Sequence, residues 1–334
     1  MVAGSGNIVG GASPRVSVLI PMYNREKVIA ETIASVLGQT FSDFELLVCD
    51  DCSTDGSVGI VLSFDDPRIT LLRNDRNLGS SATRNRLISH ASGEYCALLD
   101  SDDIALPWRL EKQVAFLDTH PDIGACAGAV QIIDGDGSEQ RGRVWYKKAA
   151  SHDLLKVKIL FHCAVAQTTL MFRRREFLDA GLCYVDGPAN DMGLFKHALH
   201  KMKFENLGIP LVKYRVWSSQ MSTDAACQRE MAMEHLYYQY DLLGVELSEK
   251  DKDVLRVAVT GGRIPMELSD DFENLAVRIA MANRNKLIFD QQALVAYLLC
   301  MYRGIVKLAR KKGIGSRMRY LCRYKRFKKR LAAI

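Results

Sequence analysis

Short apolar runs alternate with helical patterns along the first hundred residues. RVSVLI (15–20), FELLVCD (44–50), ITLLRN (69–74) and YCALLD (95–100) are rich in β-branched and apolar residues, which is typical of buried strands. Between them, residues 26–39 place apolar side chains three to four positions apart, and residues 77–91 predict a loop that opens a helix. This alternation predicts an α/β fold whose mostly parallel, Rossmann-like sheet is flanked by helices.

Beyond about residue 225 the pattern becomes helical. The segments 231–244, 248–259 and 270–312 have the apolar spacing of helices, and Ser248 with Asp251 resembles a capping box. We therefore predict a flexible N-terminus over 1–14, an α/β domain over 15–225 and an α-helical C-terminal extension over 226–334.

The charge is divided unevenly between these regions. The 334 residues are 48% hydrophobic and 25% charged, as in ordinary globular proteins, and the net charge is +6. Residues 303–334 hold 13 Lys and Arg and no acidic residue, so the rest of the chain is net acidic. The N-terminus does not resemble a secretory signal, and no run of about 20 apolar residues predicts a spanning helix. Nine scattered cysteines indicate a reducing, cytoplasmic compartment.

Polar clusters follow three of the predicted strands. They are Pro21, Tyr23, Asn24 and Arg25 after the first strand, Asp50 and Asp51 after the second, and Asp100, Ser101, Asp102 and Asp103 after the fourth. Because ligands of such sheets bind beyond the carboxyl ends of the strands, we expect these clusters to share one edge. The glycine-rich stretch at 4–11 precedes the first strand and so lacks the context of a dinucleotide-binding loop.

The side chains of these clusters suit a phosphate-bearing ligand. Carboxylates one residue apart favour a hard divalent cation, Mn²⁺ or Mg²⁺, that takes further oxygens from substrate phosphates. The alternative for the DSDD stretch is a solvated acidic turn. Asp50 and Asp51 offer acceptor oxygens to a uracil or a ribose, Tyr23 offers a ring to a base, and Arg25 and Arg84 offer charge to a diphosphate.

The span 17–128 resembles the nucleotide-sugar-binding half of the family 2 glycosyltransferases, which have the GT-A fold. The matching segments are VSVLIPMYNRE, SVLGQTFSDFELLVCDDCSTDGS, NLGSSATRNRLISHASGEYCALLDSDD and P-WRLEKQV. The resemblance implies a DxD motif in which Asp102 is the main metal ligand and Asp100 contacts the metal or the ribose. The residues predicted to bind the nucleotide sugar are Pro21, Tyr23, Asn24, Arg25, Asp50, Asp51, Arg84, Asp100 and Ser101.

The resemblance implies that residues 129–225 form the acceptor half, where this chain departs from the family pattern. Family members carry an acidic pair at a helix start; here Asn190 replaces the Glu, Gly193 replaces a later Asp, and Asp191 remains. An inverting transfer needs one base, so we predict that Asp191 is catalytic; the alternative is a helix N-cap. Trp217 stands where the family often has His. The predicted acceptor or sugar contacts are Gln167, Thr168, Asn190 and Trp217.

The sequence therefore predicts a metal-dependent, inverting glycosyltransferase that moves a sugar from a nucleoside-diphosphate donor, with UDP favoured, to a hydroxyl of a glycan or lipid-linked acceptor. The expected setting is surface polysaccharide or glycolipid synthesis. The alternatives are a non-catalytic sugar-nucleotide binder and a nucleotidyltransferase, although PMYNREK lacks the glycines of the latter. The basic tail with its aromatic residues predicts peripheral contact with an anionic membrane on its cytoplasmic face, and no nucleic-acid partner.

Overall fold

The computed structural model describes residues 13–145, 148–187, 189–217, 225–259 and 263–334. The strands are β1 (Val16–Met22), β2 (Phe44–Asp50), β3 (Ile69–Arg73), β4 (Tyr95–Leu98), β5 (Ile104–Ala105), β6 (Ala125–Asp134), β7 (Glu139–Trp145), β8 (Met171–Arg173) and β9 (Phe204–Val216). The helices are α1 (Ile29–Leu37), α2 (Ser57–Leu62), α3 (Gly79–His90), α4 (Arg109–Thr119), α5 (His152–Lys158), α6 (Arg174–Asp179), α7 (Asn190–Lys201), α8 (Ala225–Leu243), α9 (Glu249–Ala258), α10 (Ser269–Lys286), α11 (Gln291–Arg310) and α12 (Ile314–Ala332).

One nine-stranded sheet lies at the centre of the α/β region. Its strand order is β3-β2-β1-β4-β8-β6-β9-β5, and β7 pairs with β6 at one side of this path. Strands β3, β2, β1 and β4 are parallel, as are β6 and β9, whereas β5, β7 and β8 pair with their neighbours in antiparallel fashion. The predicted α/β fold class is thus confirmed, and the four strands predicted from the N-terminal pattern form its parallel part.

Both faces of β1, β2 and β4 are buried, which explains their near-continuous apolar sequences. In β1, Val18 and Ile20 belong to one hydrophobic cluster and Leu19 to another, because successive side chains point to opposite faces. Helix α1 covers the first face with Ile33, and α3 covers the second with Leu87. Each such buried side chain contributes about 1.5–3 kcal/mol to folding, so the positions of the strand ends are firmly fixed.

The C-terminal helices form a third hydrophobic cluster that continues into the α/β region. Phe272, Tyr302 and Phe327 lie at its centre, and Phe161 and Met192 join it from the segments after α5 and within α7. The predicted capping box is present: the Ser248 hydroxyl accepts from the backbone of Asp251, whose side chain accepts from the backbone of Ser248. The helical extension is therefore packed onto the domain that carries the predicted site.

The predicted helical stretch 270–312 is divided in two. Helix α10 ends before Leu287, which has φ +55°, and the buried side chain of Asn283 holds the turn through two hydrogen bonds to Phe289. Asp290 then caps α11 by accepting from Ala293 N at 2.7 Å. By length and composition α11 is apolar enough to cross a membrane, although the sequence predicted no such helix, and 39% of its most apolar stretch is buried here.

Candidate active site

The loops after β1, β2 and β4 meet at one edge of the sheet, as predicted. Strand β1 lies between the parallel β2 and β4, so the three carboxyl ends adjoin. Asn24 joins two of the loops, because its N–H donates to Ser53 Oγ at 2.9 Å and its Oδ1 accepts from Thr54 N at 2.9 Å. Asn24 has φ +50°, a conformation that Asn adopts more readily than most residues. Arg25 Nε lies 3.7 Å from Asp102 Oδ2 and so reaches the third loop.

The Asp102 carboxylate is largely buried and directly contacts Trp217. Its Oδ2 accepts a hydrogen bond from Trp217 Nε1 at 3.1 Å. Burial raises the pKa of Asp102, the nearby Asp100 carboxylate raises it further, and Arg25 acts in the opposite direction. Gly135 makes room for the indole, because a Cβ at that position would lie 2.9 Å from the Trp217 ring. Trp217, which stands where the resemblance implies a histidine, therefore supports the Asp102 carboxylate as a hydrogen-bond donor.

Asp100 forms a partly buried ion pair with Arg84. Arg84 Nη2 donates to Asp100 Oδ1 at 2.8 Å, and the guanidinium lies 5.5 Å from the centre of the Tyr184 ring. Burial alone would lower the pKa of Arg84, but the Asp100 carboxylate, together with Tyr184 and Asp191, raises it above its usual value. With the Gln167 amide assigned so that its oxygen faces Arg84, it accepts from Nη2 at 2.9 Å. Thr168 Oγ1 accepts from Asp100 N at 3.2 Å, so Gln167 and Thr168, two of the four predicted acceptor or sugar contacts, contact the Arg84–Asp100 pair.

Asp103 and Arg215 hold the DSDD loop in place. Asp103 is fully buried and accepts from Arg215 N at 2.9 Å. The buried Arg215 side chain donates through Nε to the carbonyl of Asp102 at 2.9 Å and through Nη1 to the carbonyl of Gly135 at 3.1 Å. It also pairs with Glu31 of α1. These contacts connect the loop to β9 and α1.

Asp50 and Asp51 are engaged with the protein itself. Asp50 is fully buried, with Oδ2 3.6 Å from Arg73 Nε. Asp51 Oδ1 accepts from Asn74 Nδ2 at 2.7 Å, and its Oδ2 accepts from Gly79 N at 2.9 Å. These bonds fix the loop that precedes α3, which carries Arg84. The contacts predicted between this pair and a base or ribose remain predictions.

Asp191 lies in the first turn of α7, but it is not the N-cap. The N-cap is Ala189 at φ +51°, so the N-cap alternative for Asp191 is wrong. Its Oδ1 accepts from Met192 N at 2.8 Å, and Cys163 Sγ lies 3.9 Å from its Oδ2. Burial raises the pKa of Asp191, and Arg84 acts against this increase. The charges of Arg84 and Asp191 thus influence each other, although they lie on different helices.

Asn190 and Gly193 differ from the acidic motif that the resemblance implies, and each fits its surroundings in the structure. Asn190, in place of Glu, donates to Ser80 Oγ at 2.8 Å and to Ser81 Oγ at 3.1 Å, which joins α7 to α3. At Gly193, in place of the later Asp, an added Cβ would lie 3.4 Å from Cε1 of His235. The positive form of His235 lowers the pKa of Asp191.

The remaining predicted residues lie at the same edge. Pro21 is within β1 and pairs with Cys49 of β2. Tyr23 follows the strand and is 42% exposed, which leaves its ring accessible to a ligand. Ser101 is buried, and its carbonyl accepts from Thr32 Oγ1 at 3.1 Å.

Three residues that contact this site were missed by the sequence reasoning. Tyr184 lies against Arg84, Arg215 against the DSDD loop and His235 beside Gly193. Each belongs to an element distant along the chain; Arg215, for example, is 113 positions from Asp102. For Arg215 the local signal was a charged residue near the end of β9, and this signal did not identify a partner.

The carboxylates fit a cation that arrives with a phosphate ligand. Across the described parts of the chain, no three or more His, Cys, Asp or Glu side chains are grouped to hold a metal ion by themselves. The contacts above engage Asp100 through Oδ1 and Asp102 through Oδ2. Two carboxylates with substrate phosphates are a usual Mg²⁺ ligand set, and a cation would relieve the repulsion that raises the pKa of Asp102.

Comparisons with known proteins agree with this architecture. A sequence profile of Glycosyl transferase family 2 matches residues 17–182. EpsE of Bacillus subtilis (strain 168) is 45% identical over 129 residues, which span 38% of this chain and only 46% of EpsE. The UDP-Glc:α-D-GlcNAc-diphosphoundecaprenol β-1,3-glucosyltransferase WfgD of Escherichia coli is 31% identical over 229 residues, 69% of this chain and 85% of WfgD.

A solved structure extends the likeness to the whole fold. TarS 1–349 of S. aureus, in complex with UDP-GlcNAc, has a TM-score of 0.57 and 20% sequence identity, covering 94% of this chain and 90% of that chain. The family match begins near the start of β1 and includes the DSDD loop. As the resemblance predicted, the chain belongs to glycosyl transferase family 2 and has the GT-A fold.

Proposed function

We propose that this protein is a metal-dependent, inverting glycosyltransferase that transfers a sugar from a UDP-sugar to a hydroxyl of a lipid-linked glycan in surface polysaccharide or glycolipid synthesis. The observation that carries the proposal is the convergence of three groups at one sheet edge: the Asp102 carboxylate, the Arg84–Asp100 ion pair and the half-buried Asp191. The reaction needs a bound donor diphosphate and a general base, and a cation can stabilise the departing diphosphate.

Two relatives support the choice of donor and acceptor. WfgD and WfaP of Escherichia coli are both named as glucosyltransferases that use UDP-Glc and an α-D-GlcNAc-diphosphoundecaprenol acceptor. WfaP is 27% identical over 63% of this chain and 80% of its own length. A UDP-sugar and a lipid-linked diphosphate acceptor are therefore the first substrates to test.

In the proposed complex, Asp102 and Asp100 hold Mn²⁺ or Mg²⁺, while Arg84 and Arg25 supply positive charge to the diphosphate. The exposed ring of Tyr23 stacks on the base. When bound, the cation supplies Lewis-acid stabilisation of the departing diphosphate. The Trp217 indole fixes the Asp102 carboxylate from the protein side.

Asp191 acts as the general base. As the acceptor oxygen attacks the anomeric carbon, its proton passes to the Asp191 carboxylate, and the bond from that carbon to the UDP oxygen breaks. A single displacement inverts the anomeric centre, so an α-linked donor gives a β-linked product. Burial favours this role, because a carboxylate with a raised pKa is a stronger base while it remains ionised.

The basic tail is proposed to contact the anionic cytoplasmic face of a membrane. At the start of α12, Ile314 and Met318 are exposed and stand among Lys311, Arg317 and Arg319. Exposed apolar side chains with flanking cations are the features of an interfacial helix. Such contact would bring a lipid-linked acceptor to the enzyme.

The test is a screen of UDP- and GDP-sugars for hydrolysis and for thermal stabilisation, with and without Mn²⁺. We expect stabilisation and slow hydrolysis with a UDP-sugar, both strengthened by Mn²⁺. The absence of hydrolysis alongside clear stabilisation would favour the non-catalytic binder, and a preference for GDP-sugars would overturn the assignment of UDP.

A further inference from the structure

A second cleft, outside the DxD site, lies between the helical extension and the α/β domain. Its volume is about 380 Å³. Its walls are mostly apolar and come from α9, α11, the segment before α10 and the segment after α5; they include Ala258, Ile264, Tyr297, Met301 and Gly304.

Three cations stand around this apolar cleft. Arg303 and Lys307 are one helical turn apart on α11, and Arg263 comes from the segment before α10. All three are exposed, and within the described structure none of them forms an ion pair with a carboxylate. Arg303 donates to the hydroxyl of Tyr324 at 2.9 Å, which orients its guanidinium without neutralising it. The cleft therefore offers net positive charge to an anionic group.

One wall of the cleft, formed by the segment after α5, lies next to the proposed base. His162 lines the cleft, with Nε2 2.9 Å from the Tyr297 hydroxyl and Nδ1 2.8 Å from the carbonyl of Cys163. Because burial lowers the pKa of His162, we assign a neutral ring whose Nδ1–H donates to that carbonyl. The next residue, Cys163, places Sγ 3.9 Å from Asp191 Oδ2. Cys163 therefore lies between His162, in the wall of the cleft, and Asp191, the proposed base.

The surface of α11 indicates what kind of anion would bind. This helix has the length and composition of a membrane-spanning helix, yet 39% of its most apolar stretch is buried. Ala296 and Cys300 on it are exposed, and Val295 and Leu299 are only partly covered. A soluble phosphate would use the cations alone, whereas an anion attached to a hydrocarbon chain would use both the cations and this uncovered apolar surface.

We propose that this cleft binds the phosphate of the lipid-linked acceptor, with Arg263, Arg303 and Lys307 on the phosphate oxygens and the hydrocarbon chain along α11. The assignment rests on the proposed function, which requires an acceptor whose sugar hydroxyl reaches Asp191. The cleft then holds the lipid end of the acceptor, and the segment His162–Cys163 lies between it and the base. Arg263, Arg303 and Lys307 thereby select acceptors that carry a phosphate.

Farnesyl diphosphate, a short prenyl chain with a diphosphate, is the probe, and calorimetric titration of the full chain is the measurement. We expect wild-type protein to bind it more tightly than inorganic pyrophosphate or farnesol. Gly304→Leu should abolish binding by filling the cleft; a Cβ there meets nothing within 4 Å, so the fold should tolerate the change. Gly315→Leu, at an equally open glycine of α12 outside the cleft, is the matched control and should bind normally.

A second pair of variants tests whether the cations around the cleft contribute to binding. Arg303→Gln/Lys307→Gln should weaken binding by about tenfold or more, whereas Arg284→Gln/Lys286→Gln removes two exposed cations from α10 without effect. The proposal is overturned if Gly304→Leu or Arg303→Gln/Lys307→Gln, with an unchanged melting temperature, binds as tightly as wild type. Equal affinity for pyrophosphate would assign the cleft to free phosphate, and binding only to phosphatidylglycerol vesicles would assign it to bulk lipid; either result contradicts the acceptor assignment. If the donor screen fails, these binding results can still be interpreted. The proposed function and the proposed acceptor site can therefore be rejected independently.

Discussion

The contact between Trp217 and Asp102 shows how one side chain can replace another in a family motif. An indole N–H donates a hydrogen bond but cannot ligate a metal, so Trp217 orients the carboxylate without supplying a further ligand. The donor also offsets part of the burial that raises the pKa of Asp102. Any cation at this site must therefore depend more strongly on Asp102, Asp100 and the donor phosphates.

Trp217→Phe tests this orienting role. It removes the N–H and keeps an aromatic ring, so Asp102 loses a donor worth about 1.5–3 kcal/mol to a charged acceptor. We expect kcat/KM for the donor to fall by about tenfold or more, with a higher Mn²⁺ concentration needed for half-maximal rate. Trp145→Phe, at a half-exposed indole on β7, is the control. An unchanged Mn²⁺ requirement in Trp217→Phe would contradict the role.

The pH dependence should report the environment of Asp191. A base must be ionised, so activity is expected to fall as the pH drops through the Asp191 pKa, which burial places above its usual value of 3.8. His235 lowers that pKa, so His235→Gln should move the acid limb of the kcat/KM profile to higher pH. Asp186→Asn, at an exposed carboxylate shortly before α7, should leave the limb in place. If His235→Gln leaves the acid limb in place or moves it to lower pH, Asp191 is not the group that the limb reports.

Sequence patterns identified residues whose role is local and missed those whose role depends on distant partners. Asp100 and Asp102 follow a strand in a recognisable motif, and the structure places them at the expected edge. Tyr184 and Arg215 carry no comparable pattern, because their contacts with Arg84 and the DSDD loop exist only after distant elements pack together.

At the scale of elements, the DSDD loop depends on β9 and α1. The Arg215 side chain satisfies the carbonyls of Asp102 and Gly135 and pairs with Glu31, all from inside the protein. A buried carbonyl that is left without a hydrogen-bond donor costs folding free energy, so Arg215 should matter for stability as well as for the position of the Asp102 carboxylate.

Arg215→Ala is expected to lower the free energy of unfolding by about 3 kcal/mol, since it leaves buried carbonyls unpaired. Lys213→Ala on the same strand removes a partly exposed ion pair with Glu139 and should cost about 1 kcal/mol or less. Urea unfolding followed by circular dichroism measures both values. Equal losses in the two variants would contradict the view that Arg215 braces the loop.

Helices and strands also differ in how well the sequence predicts them. The strands β1 to β4 are long or strongly apolar, and the sequence indicated each of them. Strand β5 has two residues and β8 has three, so neither contains enough residues to show a period. The division between α10 and α11 was also missed, because it depends on the Asn283 side chain binding the backbone of Phe289.

At the scale of the whole molecule, charge is separated along the chain. The last 32 residues are basic, and the rest is net acidic around the carboxylate-rich site. We expect the protein to sediment with phosphatidylglycerol vesicles at low ionic strength and to be released by high salt, because screening weakens the attraction of exposed cations. Ile314→Ser/Met318→Ser should weaken binding, and Leu62→Ser, at an exposed leucine of α2, should not. Sedimentation that ignores lipid charge would contradict the proposal.

The central claim is that Asp191 is the base of a glycosyl transfer, and Asp191→Asn tests it most directly. Hydrolysis of the UDP-sugar identified in the donor screen and UDP affinity should be measured side by side, with Asp186→Asn as the matched control. We expect Asp191→Asn to lose turnover by about 10²–10⁴-fold, the range expected for a general base, and to retain its affinity for UDP. Turnover equal to that of wild type, in a variant that still binds UDP, would contradict it.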